Sequence, residues 1–297
     1  MSDPISTVGF VGLGNMGTPM TRRLVEAGYR VLAFDVSPEA RARAVAAGAE
    51  DAAGLEAVAK ADAVILMLPN SAIVESVVDD RALADGLAAG SVIIDMSSSE
   101  PMRTRALAEK VGQRGISLVD APVSGGVSGA ESGKLTIMVG GSDADVARVR
   151  PLLEVLGTPV HVGAVGSGHA IKALNNLLSA THLWATSEAM TAGERFGLDP
   201  DVMLAVFNGS SGRSGSTENK WPNFIRPGTY NSGFGLRLML KDMKIAVQLA
   251  EQAGAPTRLG ADAVELWDEA AEGLEPTADH TEVARWIDRV AGDGAIA

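Results

Sequence analysis

The sequence predicts an α/β domain followed by an all-α one: a doubly wound parallel sheet over residues 1–165, then helices over residues 166–297 that begin with a long interdomain helix. Three observations carry this. Short apolar runs alternate with helix-like stretches through the first half. A glycine-rich turn follows the first run, and near Gly166 the apolar period changes to that of a helix. At 297 residues with 46% apolar content, the chain has enough material for a core in each half.

The runs TVGFVG, RVLAFD, ADAVILMLP, SVIIDMS, ISLVDAP, KLTIMVGG and PVHVG read as strands. The earlier ones are almost continuously apolar, as strands covered by helices on both faces should be. Helical patterns then occupy GHAIKALNNLLSATHLWATSEAMTAGERFG, DPDVMLAVFN, GLRLMLKDMKIAVQLAEQAG, RLGADAVELWDEAAEGL and TEVARWIDRVAG. Between two of them lies a Gly, Ser, Asn and Pro-rich stretch, Ser210–Phe234, which reads as a functional loop rather than an element.

Composition narrows the function. A net charge of −12 argues against a nucleic-acid partner, whose phosphates would demand clustered Lys and Arg. With no cysteine there is no disulfide, thiol nucleophile or thiolate-held metal. His161, His169, His182 and His280 show no metal-ligand spacing, so no metal is expected. No apolar run reaches the roughly 18 residues that span a bilayer. The start, MSDPISTVGF, lacks the pattern of a signal peptide, so no membrane association and a soluble, cytoplasmic location are expected.

Gly12, Gly14 and Gly17 stand in GxGxxG spacing at a strand-to-helix junction, with Leu13, Asn15 and Met16 between them. In a Rossmann-type domain the first glycine permits the tight turn and the second lets a pyrophosphate approach the backbone. The third lets the helix pack close to the strand. The amino terminus of that helix then offers unpaired N–H groups to the phosphates. RVLAFD ends at Asp35, where a carboxylate accepts from ribose hydroxyls and repels a 2′-phosphate, which predicts NAD rather than NADP. The plain alternative for Asp35 is a helix cap before Ser37-Pro38.

In GHAIKALNNLLSATHLW, apolar residues surround most of the helix, which is therefore expected to be largely buried. His169, Lys172, Asn176 and Ser179 recur on one face as a polar stripe, with Asn175 alongside. Burying them dry would be costly, so the stripe should line a cleft. Lysine is scarce here, and one within such a helix suits proton transfer. Desolvation and a neighbouring oxidised nicotinamide would draw its pKa down toward neutrality, so that the neutral amine takes a hydroxyl proton as hydride leaves carbon. Asn176, one turn on, can hold the same oxygen or orient the amine. The bland reading is a snorkelling lysine at a domain boundary.

GFVGLGNMG, DAPVSGG (Asp120 to Gly126) and GHAIKALNN together resemble the beta-hydroxyacid dehydrogenase family, in order and spacing along nearly the whole chain. That family includes 3-hydroxyisobutyrate dehydrogenases and tartronate semialdehyde reductases and is related to 6-phosphogluconate dehydrogenase. The resemblance implies that Lys172 is the catalytic acid/base and that Asn176 contacts substrate. It also implies that Ser124, Gly125 and Gly126 bind the substrate carboxylate and hydroxyl. A hydroxyl beside glycine N–H groups makes a sensible anion cradle, although VSGGVSGAESGK alone would pass for a flexible loop.

The resemblance further implies that Leu68, Pro69 and Ser98 approach the cofactor, and that Phe234, Lys241 and Asp242 close over the nicotinamide. Alone, Lys241 and Asp242 would look like a solvated pair on a helix. A threonine is common in the family where Ser98 stands, and SSGRSGSTENKWP fits no one substrate. The imine-reductase branch usually lacks a lysine at the Lys172 position, so hydroxyacid chemistry is favoured. The family also implies a homodimer or homotetramer.

The expected activity is hydride transfer between NAD and the hydroxyl-bearing carbon of a small beta-hydroxyacid such as 3-hydroxyisobutyrate. A reductase of tartronate semialdehyde, perhaps with NADP, is a second reading, and a non-catalytic sensor of the dinucleotide is a third. A phosphorylated sugar acid fits poorly because it would require several extra cationic contacts, and Arg213, Lys220, Arg226 and Arg237 leave it open only narrowly.

Overall fold

Each of the apolar runs forms a strand in the structure, a computed structural model that describes residues 5–292. In chain order the strands are β1 (Thr7–Val11), β2 (Arg30–Phe34), β3 (Glu50–Asp51), β4 (Ala63–Leu66), β5 (Val92–Asp95), β6 (Ser117–Asp120), β7 (Val123–Ser124), β8 (Leu135–Gly140) and β9 (Gly157–Gly163). The two-residue β3 and β7 carry no apolar run of their own; their neighbours' open edges recruit them.

The chain divides into two units, Met1–Lys172 and Ala173–Ala297. In the first, one sheet has the order β3-β2-β1-β4-β5-β6-β8-β7, with β9 beside β8. The central strand β4 is apolar throughout because both of its faces are covered. Ala63 and Ile65 enter the core on one side of β4, while Val64 and Leu66 enter the core on the other, all without solvent exposure. The strand order reverses between β1 and β4, and such a switch point opens a crevice at the carboxyl ends of the strands.

The sheet is not wholly parallel. β8 runs antiparallel to β6 and β7. Between β6 and β8 the chain has room only for β7 and the seven-residue helix Gly126–Ser132, too short for the crossover that a parallel neighbour needs.

In the second unit, helices surround Trp184, Trp267, Leu236 and Met243, with the two indoles 6.4 Å apart. Helix Ser167–Phe196 runs through the division between the units. Its burial differs from expectation: Ile171, Leu174 and Leu178 are exposed, whereas His169, Lys172 and Asn176 are buried at 1%, 7% and 5% exposure. Periodicity defines two faces of a helix, but here hydrogen-bonded partners draw the polar one inward. The Ser210–Phe234 stretch is also more regular than its composition predicts, with a π-helical turn over Ser216–Ile225. Pro222, which lacks the N–H that an ordinary helix interior uses, lies within that segment.

Among the described residues no helix is long and apolar enough to cross a membrane. Nor, among them, do three or more His, Asp or Glu side chains converge as a metal site.

Candidate active site

Two of the three glycines of the first turn are required by the fold, each for its own reason. Gly12 has φ +98°, and a β-carbon there would lie 2.2 Å from the Met67 carbonyl oxygen beyond β4. A β-carbon on Gly17 would lie 1.9 Å from the Gly12 carbonyl oxygen, so the helix Gly17–Glu26 starts in contact with the turn. At Gly14 a β-carbon would meet nothing within 4 Å. Nothing in the protein itself demands glycine at that position, which fits a backbone kept bare for a pyrophosphate.

Asp35 follows β2, which ends one residue earlier than the apolar run suggests. Its carboxylate accepts from Leu13 N–H at 2.7 Å and from Ser37 N–H at 2.8 Å. The cap is supplied by Ser37, whose hydroxyl accepts from Ala40 N–H, so Asp35 instead links the glycine turn to the end of β2. Asn15 and Met16 complete the turn, with Met16 at the helix N-cap and Asn15 exposed. Both fit a dinucleotide's phosphate path.

Leu68 and Pro69 follow β4, and Ser98 follows β5. These segments are tied to each other: Leu68 N–H donates to Ser97 Oγ at 2.9 Å, and Ser97 N–H to Asp95 Oδ1 at 3.0 Å. Ser97 and Asp95 are each 1% exposed.

At the end of β6 the Asp120 carboxylate takes one N–H bond on each oxygen, from Gly166 at 2.7 Å and His169 at 2.8 Å. It thereby caps the helix that carries Lys172. Burial pushes the Asp120 carboxyl above the usual range, opposed by His169 and by these N–H groups. The sequence places Asp120 only at the head of the DAPVSGG stretch and reads His169 as a member of a stripe. Neither can be recognised as a helix anchor, because the anchoring partners lie 46 and 49 residues apart.

Ser124 ends β7 and is half-buried, and the next two residues have φ +127° and +62°, a left-handed range that favours glycine. The backbone therefore turns sharply at Gly125 and Gly126 into a short helix, the geometry an anion cradle calls for.

In the second unit Asn176 Nδ2 donates to Asp242 Oδ2 at 2.6 Å. The facing atom must be the nitrogen, because a carboxylate only accepts. Lys241 Nζ stands 3.1 Å from Asp242 Oδ1. Asp242 is 1% exposed, so this is a buried polar cluster and not the solvated pair that the two residues suggest in isolation. Phe234 is held by a clasp of its own. Asp279 Oδ2 accepts from Gly233 and Phe234 N–H, and the His280 imidazole stacks edge-on to the Phe234 ring at 5.8 Å. Of the cations that might have served a phosphorylated substrate, Arg213 pairs with Glu218, Arg226 pairs with Asp201, and Arg237 binds the carbonyls of Ala271, Leu274 and Glu275.

A Rossmann-type sheet with a glycine-rich first turn and a helical second half define a dinucleotide-binding protein, and the relatives below make it a nicotinamide-dependent dehydrogenase acting on CH–OH groups. Residues 7–166 match the model for the NAD binding domain of 6-phosphogluconate dehydrogenase, and residues 166–287 match that for NAD-binding of NADP-dependent 3-hydroxyisobutyrate dehydrogenase. The chain belongs to the beta-hydroxyacid dehydrogenase family. It is 40% identical over 264 residues to 2-(hydroxymethyl)glutarate dehydrogenase of Eubacterium barkeri, covering 88% of each chain. To 3-hydroxyisobutyrate dehydrogenase of Pseudomonas aeruginosa it is also 40% identical, over 89% of this chain and 91% of the relative. The structure of Mycobacterium tuberculosis 3-hydroxyisobutyrate dehydrogenase with L-serine superposes with a TM-score of 0.89 at 33% identity, over 95% of this chain and 99% of that one.

Proposed function

We propose that the chain transfers hydride between NAD and the hydroxyl-bearing carbon of a short 3-hydroxyacid of the 3-hydroxyisobutyrate kind, with Lys172 exchanging the hydroxyl proton. The observation that carries this reading is the burial of Lys172, 7% exposed, on a helix capped by Asp120 at the carboxyl end of β6. That amine-bearing helix begins where a Rossmann-type sheet presents its ligand crevice, at the carboxyl ends of the strands.

Gly12, Leu13, Gly14, Asn15, Met16 and Gly17 would hold the pyrophosphate, Asp35 the adenosine ribose, and Leu68, Pro69 and Ser98 would border the nicotinamide. When bound, the cofactor supplies the hydride acceptor. Ser124 with the Gly125 and Gly126 N–H groups would bind the substrate carboxylate and orient its hydroxyl. Lys172, as the neutral amine, takes the hydroxyl proton during oxidation and returns it as ammonium during reduction. Asn176, with its amide nitrogen bonded to Asp242, presents a fixed group one turn beyond the lysine. Phe234, Lys241 and Asp242 would close the nicotinamide side. The boundary between cofactor-binding and substrate domains would fall at residues 165 and 166.

A homodimer or homotetramer follows from the same reading. Leu174, Leu178, Val202 and Val206 lie exposed on helices of the second unit, and a second copy would cover them.

The test is a rate panel with NAD and NADP against 3-hydroxyisobutyrate, L-serine, 2-(hydroxymethyl)glutarate and tartronate semialdehyde. NAD-linked oxidation of a 3-hydroxyacid supports the proposal. NADPH-linked reduction of tartronate semialdehyde alone would move the assignment to the semialdehyde reductases, and binding without turnover would leave a dinucleotide sensor.

A further inference from the structure

Four buried groups around the start of the lysine helix form one hydrogen-bonded joint. His169 Nε2 donates to the Ser97 carbonyl at 3.1 Å, since a carbonyl can only accept, and its Nδ1 lies 2.9 Å from the Thr104 hydroxyl oxygen, which also reaches the Glu100 carbonyl at 3.1 Å. Ser97 in turn receives Leu68 N–H on its Oγ. Asp120 holds the same helix turn through Gly166 and His169 N–H. Asp120, Ser97, His169 and Thr104 are all at most 3% exposed.

The backbone is shaped around this joint. A β-carbon on Gly168 would lie 2.2 Å from the Met138 carbonyl oxygen, and one on Gly140 would lie 2.4 Å from Asp120 Oδ1. Both glycines are thus needed for the carboxylate and helix to meet. Lys172 follows His169 by three residues, which puts the two on one face. Helical side chains lean toward the amino terminus, so the lysine chain extends back over the anchored turn.

We propose that Asp120 and His169 are positioning residues, which fix the height and rotation of the helix carrying Lys172 against the Leu68 and Ser97–Ser98 segments. This rests on the reading of Lys172 as the proton-transfer group. A reacting group displaced by about 1 Å can lose on the order of 100-fold in rate, so a joint of this kind should be visible in turnover while dinucleotide binding persists.

The experiment compares His169→Leu, His169→Gln and Asp120→Asn with Lys172→Ala in the full chain. Glutamine can donate to the Ser97 carbonyl and accept from Thr104, whereas leucine can do neither. An asparagine at 120 turns one acceptor into a donor facing an N–H group. Expected results are a loss in kcat of about 30-fold or more for His169→Leu and Asp120→Asn, with NAD affinity within about 3-fold and a larger primary deuterium isotope effect. His169→Gln should recover to within about 5-fold of the parent. Equal losses in His169→Gln and His169→Leu, or kcat within 3-fold of the parent in a folded Asp120→Asn, would overturn the proposal. If His169→Leu fails to fold, the glutamine and asparagine variants still decide it. Full activity in Lys172→Ala would instead refute the underlying proton-transfer reading, whatever the joint does.

Discussion

Leu13 N–H donates to the Asp35 carboxylate at 2.7 Å, so the phosphate turn and the end of β2 are mechanically one piece. Asp35 thus holds the turn, and under the proposed function it has a second duty, discriminating between cofactors. Asp35→Ala is expected to lower stability by about 1–3 kcal/mol through the stranded N–H groups of Leu13 and Ser37. It is also expected to raise NADP efficiency relative to NAD by about 10-fold or more, by removing a charge from the 2′-phosphate position. Thermal unfolding and steady-state kinetics with both cofactors measure the two effects separately.

The glycines of the turn should separate folding from binding. Gly14→Ala meets open space and is expected to fold with an unchanged Tm while weakening NAD by about 10-fold or more. Gly17→Ala, 1.9 Å from the Gly12 carbonyl oxygen, is expected to cost roughly 3 kcal/mol or more of stability. Denaturant unfolding together with calorimetric NAD titration checks both.

The clasp that holds Phe234 should make the protein acid-sensitive. Burial, aided by the charge of Lys220, lowers the His280 pKa from 6.5 to about 4. Below pH 6.5 the unfolded chain binds a proton that the folded chain refuses, so this contribution is complete above pH 6.5 and is lost as pH falls toward 4. Its ceiling is roughly 3 kcal/mol. Burial would raise the Asp279 carboxyl, but the Thr281 and Ser232 hydrogen bonds and the His280 charge outweigh it and hold the carboxyl low. Its contribution is present above the ordinary carboxylate range and is lost at still lower pH. His280→Gln is expected to flatten the fall in unfolding free energy between pH 6.5 and 4.5, measured in urea.

Asp242 serves two neighbours, Asn176 and Lys241. Asp242→Ala leaves a buried amide donor and an ammonium group without their shared acceptor. The expected cost is about 2–4 kcal/mol of stability, with kcat reduced more than the NAD affinity. Asp242→Asn is expected to restore most of the stability. Unfolding and turnover curves for the two variants test this.

Strands were legible because continuous apolar runs such as VILML and SVIID admit little else in a sheet covered on both faces. The phosphate turn was legible because all three of its glycines sit at fixed spacing. What escaped was anything decided by partners distant in sequence. No local pattern shows that Asp120 reaches the backbone of residues 166 and 169, or that Asp242 is buried against Asn176. The helix Ser167–Phe196 showed its polar stripe in its spacing, yet the burial of that stripe beside exposed Ile171, Leu174 and Leu178 depends on those same distant partners. The π-helical turn at Ser216–Ile225 was hidden by a composition that ordinarily signals a loop.

The most direct test of the whole account is single-turnover hydride transfer by Lys172→Ala, followed at 340 nm with NAD and 3-hydroxyisobutyrate. The account expects the rate to fall by about 100-fold or more while NAD affinity stays within about 3-fold of the parent. A variant that transfers hydride within a few-fold of the parent rate would contradict it, because the buried amine would then have no part in moving the proton.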